Sequence, residues 1–234
     1  MTKNHFEDLR IKELKILLNL SSNPKQYILR KKDFYKKLKF GDIIFSVNFS
    51  TRKGLAANAI MKFTKSTISH VKFYLGRGKI INTTSYGQFG AYEPLKDKKE
   101  QVLVVLRANL THLQRKKLHR IVKNILESKP QYSLKGLIGH GVYKTTGFFP
   151  NWLRSKKSFF CSEFIYECYL KAGYKLGKHT HSEFVSPIDL FESKKLNIVC
   201  ILDGINGVNL TRKTRDPNKT IQKESKKLLL RRLK

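Results

Sequence analysis

Apolar positions along the chain change period several times, and those changes mark out its elements. Phe6, Leu9, Leu14, Leu17 and Leu20 recur at helical spacing, which predicts a helix over residues 5–20. Ser21, Ser22, Asn23 and Pro24 interrupt it, and a second helical stretch, KQYILRKKDFYKKL, is expected over residues 25–38. From Phe40 the run FGDIIFSV reads as a strand entered through a Gly-Asp turn, and residues 53–65 read as a short helix of small residues. Alternation of period two follows in ISHVKFYLG at 68–76, with Ile68, His70, Lys72 and Tyr74 on one face and Val71, Phe73 and Leu75 on the other. Gly76-Arg77-Gly78 reads as the turn of a hairpin that returns along KIINTT.

A further strand, QVLVVLRA, precedes a helix over residues 111–128 with Thr111 as its N-cap. Residues 130–158, rich in Gly, Tyr and Phe, read as a long and partly irregular connection of the kind that forms a site wall or lid. An amphipathic helix beginning at Cys161 comes next, then a polar loop with His179 and His181, then SPIDLFES and a last strand, LNIVCILDG. Past residue 205 the composition shifts to a linker, TRKTRDPNKT, and a basic segment that places Ile221, Leu228, Leu229 and Leu233 on a helix. The expected organisation is an N-terminal helical extension (1–39), a central α+β unit (40–204) and a basic C-terminal tail (205–234), without internal repeats.

A chain of 234 residues has room for one substantial core, and a hydrophobic fraction of 40% excludes a disordered protein. Charge alters the picture most: 48 Lys and Arg against 17 Asp and Glu give a net charge of +31. Such a field draws polyanions, whether nucleic acid, an anionic membrane or an acidic polymer. It is equally the mark of a solvated Lys-rich surface, and the basic tail is either a membrane-surface helix or a helix docked on the domain. Three cysteines without metal-ligand spacing argue against a disulfide framework and against a zinc site. The N-terminus lacks a signal-peptide core, and no run approaches the roughly 18 apolar residues that span a bilayer. A soluble, cytoplasmic protein is expected, with peripheral membrane contact as the variant that the charge allows.

Cys161 stands where an apolar run breaks into a helix, and a thiol at a helix N-terminus is biased toward the thiolate nucleophile. Cys168 and Cys200 lie in apolar patterns and read as core; a lone Cys161 has the same bland reading. His70 is the best candidate base, on a strand that would hold it rigidly, against the alternative of a buried structural histidine. Asn82, across the hairpin from it, is suited to orient the imidazole, or is an ordinary strand-end asparagine. His112, His119 and His140 are weaker candidates, and His179 and His181 have no third metal ligand nearby. Glu163 either accepts hydrogen bonds near the site or simply favours the helix dipole.

FGDIIF, SHVKFYLGRGKIIN and FFCSEFIYECYLKAG together resemble the papain-like NlpC superfamily, with the cysteine last rather than first. That order is similar to the circularly permuted branch, which includes the YiiX-like cysteine amidases and, more distantly, the lecithin retinol acyltransferase group. The resemblance covers residues 40–204 and includes SPIDL after the cysteine helix. It implies an α+β, permuted papain-like fold, an antiparallel sheet packed on the helix bearing the cysteine. It makes Cys161 the nucleophile, His70 the base and Asn82 the third, orienting residue, where Glu is common in permuted amidases. The activity implied is that of a thiol protease or amidase forming a thioacyl intermediate, without cofactor or metal. Lipid acyl hydrolysis or transfer at an anionic membrane is the second reading, and a non-catalytic basic protein that binds nucleic acid or membrane is the third. The partners follow suit: a peptide-like or lipid-like acyl substrate, and a polyanion met by the basic surface and tail.

Overall fold

Runs rich in β-branched and aromatic side chains form the strands, because such side chains fit a pleated, half-buried surface. The computed structural model describes residues 24–48, 68–83, 89–95, 101–148, 150, 158–179 and 181–203. Its strands are β1 (Ile28–Leu29), β2 (Ile43–Asn48), β3 (Ile68–Gly76), β4 (Lys79–Thr83), β5 (Phe89–Pro94), β6 (Gln101–Ala108), β7 (Gln131–Tyr132), β8 (Ser158–Phe159) and β9 (Leu196–Asp203). Its helices are α1 (Lys31–Lys37), α2 (His112–Glu127), α3 (Leu134–Thr146), α4 (Cys161–Lys171) and α5 (Pro187–Phe191). Seven strands form one sheet in the order β1-β9-β6-β2-β3-β4-β5, antiparallel except where β1 lies parallel to β9. β7 and β8 make a separate parallel pair. The fold is α+β, with the sheet packed on the helix that bears Cys161.

Both faces of the sheet are covered. Ile43, Phe45, Val71, Phe73, Val104 and Ile201 pack with Leu118 and Val122 of α2, Phe164, Ile165 and Tyr169 of α4, and Leu190 and Phe191 of α5. On the other face Ile44, Tyr74, Leu103, Val105, Cys200 and Leu202 meet Phe34 and Leu38 from α1 and its C-terminal end. That double burial explains why Ile43-Ile44-Phe45 and Val102-Leu103-Val104-Val105 are unbroken apolar runs rather than alternating ones.

The Gly-Asp turn before β2 locks this core to α4. Gly41 has φ +89°, a conformation that L side chains rarely adopt, so the backbone requires glycine there; a Cβ would make only ordinary contact with Leu118 and the Tyr169 hydroxyl. The Tyr169 hydroxyl donates to the Gly41 carbonyl, and burial pushes that phenol's pKa up. Asp42 is fully buried and takes two hydrogen bonds from Arg107, at 2.6 and 2.8 Å, and a third from the Lys39 N–H at 2.7 Å. Arg107 also donates to the Lys37 carbonyl at 2.7 Å, and its bond to Asp42 raises its pKa.

Three expectations change, and one strand is new. The stretch read as one helix at 25–38 holds a 3-10 turn, then Ile28 and Leu29 paired beside Ile201 and Leu202, and only then α1. Ile68 joins the face of Val71 and Phe73, not that of His70. Between the pairs Ser46–His70 and Val47–Ile68 the partner strand advances one residue and β3 two, so a bulge at Ser69 breaks the alternation. FGAYEP, which carried no sequence reading, forms the new strand, β5, at the sheet edge, where its Gly and Pro are tolerated. The irregular connection expected at 130–158 contains the 13-residue helix α3, capped by the Ser133 hydroxyl on Gly136 N–H and ended by Gly147 in the left-handed conformation. The helix expected at 5–20, that at 53–65 and the basic tail lie outside the described residues.

Candidate active site

Chain chemistry concentrates at the start of α4. Phe160, extended at φ −98°, is the residue before the helix, and Cys161 is its first residue and 3% exposed. The N–H of a first helical residue has no acceptor within the helix, and the macrodipole there favours negative charge. Three bonds hold this turn. The Ser162 hydroxyl donates to the Val185 carbonyl at 2.7 Å, Glu163 accepts from the Phe160 N–H at 3.1 Å, and the Ser133 N–H donates to the Phe159 carbonyl at 3.0 Å. SPIDL works as an anchor for that arrangement: Ser186 and Asp189 cap α5 reciprocally, with Pro187 at its first position, directly after the Val185 that Ser162 grips. Asp189 also lies 3.8 Å from His179.

Cys161 shares its apolar cluster with Ile68 and Val71, the β3 residues on either side of the Ser69–His70 bulge. His70 is half-buried and sits opposite Ser46. Strict alternation would send its side chain to the face away from α4. The bulge lies before His70 and shifts Ile68, while His70 keeps its register position opposite Ser46, next to the Val71 that packs in the cluster of α4. The hairpin forms as expected: Arg77 (φ +52°) and Gly78 (φ +73°) make its turn, and β4 returns with Ile81 beside Phe73. Asn82 follows Ile81 on β4 and faces Gly90 of β5; its side chain lies outside what is described. The structure thus brings α4 against the strand that carries His70, with the Asn82 strand next in the sheet.

The other cysteines are core. Burial raises the Cys168 thiol well above its ordinary value and pushes Cys200 up to about 12. His119 packs on Phe40, with ring centres 5.0 Å apart, and His112 opens α2 behind a Thr111–Gln114 capping box. Among the described residues no three of His, Cys, Asp and Glu gather where a metal could bind.

His140 proves closer to the site than its glycine-rich surroundings suggested. It is buried on α3, its ring 5.5 Å from that of Phe160, and its Nδ1 lies 3.1 Å from the Glu183 carbonyl. A carbonyl only accepts, so Nδ1 carries the proton. Gly136, one turn earlier, lets the Ser133 cap close: a Cβ there would come within 2.6 Å of the Ser133 hydroxyl oxygen. Next to it Tyr143 stacks on Phe184 at 4.4 Å, and His181 meets Phe184 edge-on at 5.6 Å. The Gly136–His140 spacing, one helical turn, was the signal in the sequence. Of the two readings of Glu163 the structure shows the first: 6% exposed, it accepts the Phe160 N–H, and burial pushes its carboxyl up to about 8.

No family model matches the chain. The chain is similar to a protein of Escherichia coli (strain K12) named a probable lipoprotein peptidase, 26% identical over 182 residues. That match covers 67% of this chain and 64% of the relative. The chain thus spans a little under two thirds of that relative's length. No helix among the described residues is long and apolar enough to cross a membrane.

Proposed function

We propose that the protein is a cysteine hydrolase of permuted papain-like type that cleaves amide bonds through Cys161, His70 and Asn82. The observation that carries this reading is the packing of the helix that begins at Cys161 against β3, the strand that holds His70. The similarity to a probable lipoprotein peptidase favours an amide of peptide type as substrate.

In this reading His70 takes the proton of the Cys161 thiol, and the thiolate attacks the substrate carbonyl carbon. The oxygen gains the negative charge and is met by the Cys161 N–H at the positive end of α4. The C–N bond then breaks as His70 returns the proton to the departing amine, leaving a thioester on Cys161. Water, deprotonated by His70, attacks the thioester and releases the carboxylic acid and the thiol. Asn82 orients the imidazole throughout.

Acid-quenched reactions with acyl-reporter peptide amides, read by peptide mass spectrometry, test this. The expected result is an acyl adduct on Cys161 that is lost in Cys161→Ala and falls about 100-fold or more in rate in His70→Ala. Turnover unchanged in Cys161→Ala would sink it.

A further inference from the structure

We propose that Glu163 is a positioning residue for Cys161: its buried side chain clamps the turn as a hydrogen-bond acceptor, a role that needs no charge. The inference rests on the reading of Cys161 as nucleophile. Glu163 stands two residues after Cys161 on α4, is 6% exposed, and takes the Phe160 N–H at 3.1 Å. That bond bridges the residue before Cys161 to the residue after Ser162, whose own hydroxyl is tied to Val185. The backbone on both sides of the sulfur-bearing residue is therefore fixed, while the acceptor used for the purpose is buried with it.

A carboxylate in that place would oppose both the thiolate and the oxyanion, since like charges in one buried helical turn disfavour each other. The surroundings keep it neutral. Burial raises its pKa most, to about 8, against the bond from the Phe160 N–H, which lowers it; the like charges of Glu183, from the Ser182–Phe184 turn, and Glu167, one turn along α4, add to the rise. Glu167 is itself paired with Lys171 at 3.1 Å, and from α3 the His140 imidazole points its Nδ1–H at the Glu183 carbonyl. His70, on β3, takes the thiol proton. The negative charge that the site makes at neutral pH thus belongs to sulfur.

Two variants and two readouts test the proposal: the alkylation rate of Cys161 by iodoacetamide, resolved by peptide mass spectrometry, and the midpoint of thiolate formation from absorbance near 240 nm. Glu163→Gln keeps an acceptor for the Phe160 N–H and removes the ionisation; it should match the wild type within about twofold at pH 7, with the same thiolate midpoint. Glu163→Ala loses the clamp and should react at least about fivefold more slowly with a raised midpoint, the worth of one capping bond. Far-UV circular dichroism confirms that both variants fold. If Glu163→Gln loses as much as Glu163→Ala, or instead gains tenfold with a lowered midpoint, the carboxyl acts as an anion and the proposal is overturned. Alkylation of Glu163→Ala at the wild-type rate overturns the positioning role. If wild-type Cys161 reacts no faster than Cys200, the nucleophile reading fails before any variant is compared.

Discussion

Removing one partner of the Asp42–Arg107 pair is the sharpest structural perturbation available outside the site. Asp42 has no exposed side-chain surface, and Arg107 keeps 25% of its own. The carboxylate satisfies two guanidinium N–H groups and one backbone N–H, all between 2.6 and 2.8 Å. Arg107→Met leaves that carboxylate buried with only the Lys39 N–H; breaking a buried pair on one side costs about 3–5 kcal/mol. Asp42→Asn keeps an acceptor for Lys39 but sets an amide against a guanidinium that water still reaches, so about 2–3 kcal/mol is expected. In the double variant the orphaned charge is gone, and the pair should lose about 1.5–3 kcal/mol less than the sum of the single losses. Urea unfolding followed by far-UV circular dichroism measures all four proteins, with an unchanged m-value as the check on two-state behaviour. Single losses below about 1 kcal/mol, or strict additivity, would refute the claim that this pair closes the Gly-Asp turn.

Three further outcomes follow from the same contacts. Gly41→Ala forces an L residue to φ +89° beside Leu118 and the Tyr169 hydroxyl, and should lower stability by about 1–2 kcal/mol in thermal melts. Ser162→Ala leaves the Val185 carbonyl without its 2.7 Å bond; a loss of about 1–3 kcal/mol is expected, with slower Cys161 alkylation as the turn loosens. Glu163, ordinary in the unfolded chain at 4.5 and raised to about 8 in the fold, contributes stability that is fully present below pH 4.5 and lost as pH rises to 8. At about 1.4 kcal/mol per pH unit the loss is at most about 5 kcal/mol, and Glu163→Gln should flatten that part of the stability–pH curve.

Much of the sheet could be read along the chain because its strands obey local rules. QVLVVLRA, the Gly76–Gly78 hairpin and the Thr111 cap form as their residue types dictate, and Cys161 begins its helix. What escaped is set by tertiary contact. Gly136, Gly139 and Gly141 argue against a helix on propensity alone, yet α3 forms, and the missing Cβ of Gly136 lets the Ser133 hydroxyl close on its N–H as the cap. The Ser69 bulge depends on the register with β2, which no single strand reveals. Asp42 and Arg107 stand 65 residues apart, so their pairing is invisible without the sheet that brings β2 beside β6. Of the candidate triad, Cys161 and His70 drew on local signals, a helix start and a rigid strand. Asn82 drew on its place across the hairpin.

The central claim is that Cys161 and His70 share a proton, and thiolate absorbance near 240 nm tests it most directly. Subtracting the spectrum of Cys161→Ser isolates that one sulfur, since Cys168 and Cys200 are held protonated by burial. The account predicts a thiolate already formed at about pH 7, well below the ordinary thiol range, and its displacement to higher pH in His70→Ala. A Cys161 that ionises only in or above the ordinary range of about 8.5, with a midpoint indifferent to His70→Ala, would contradict it.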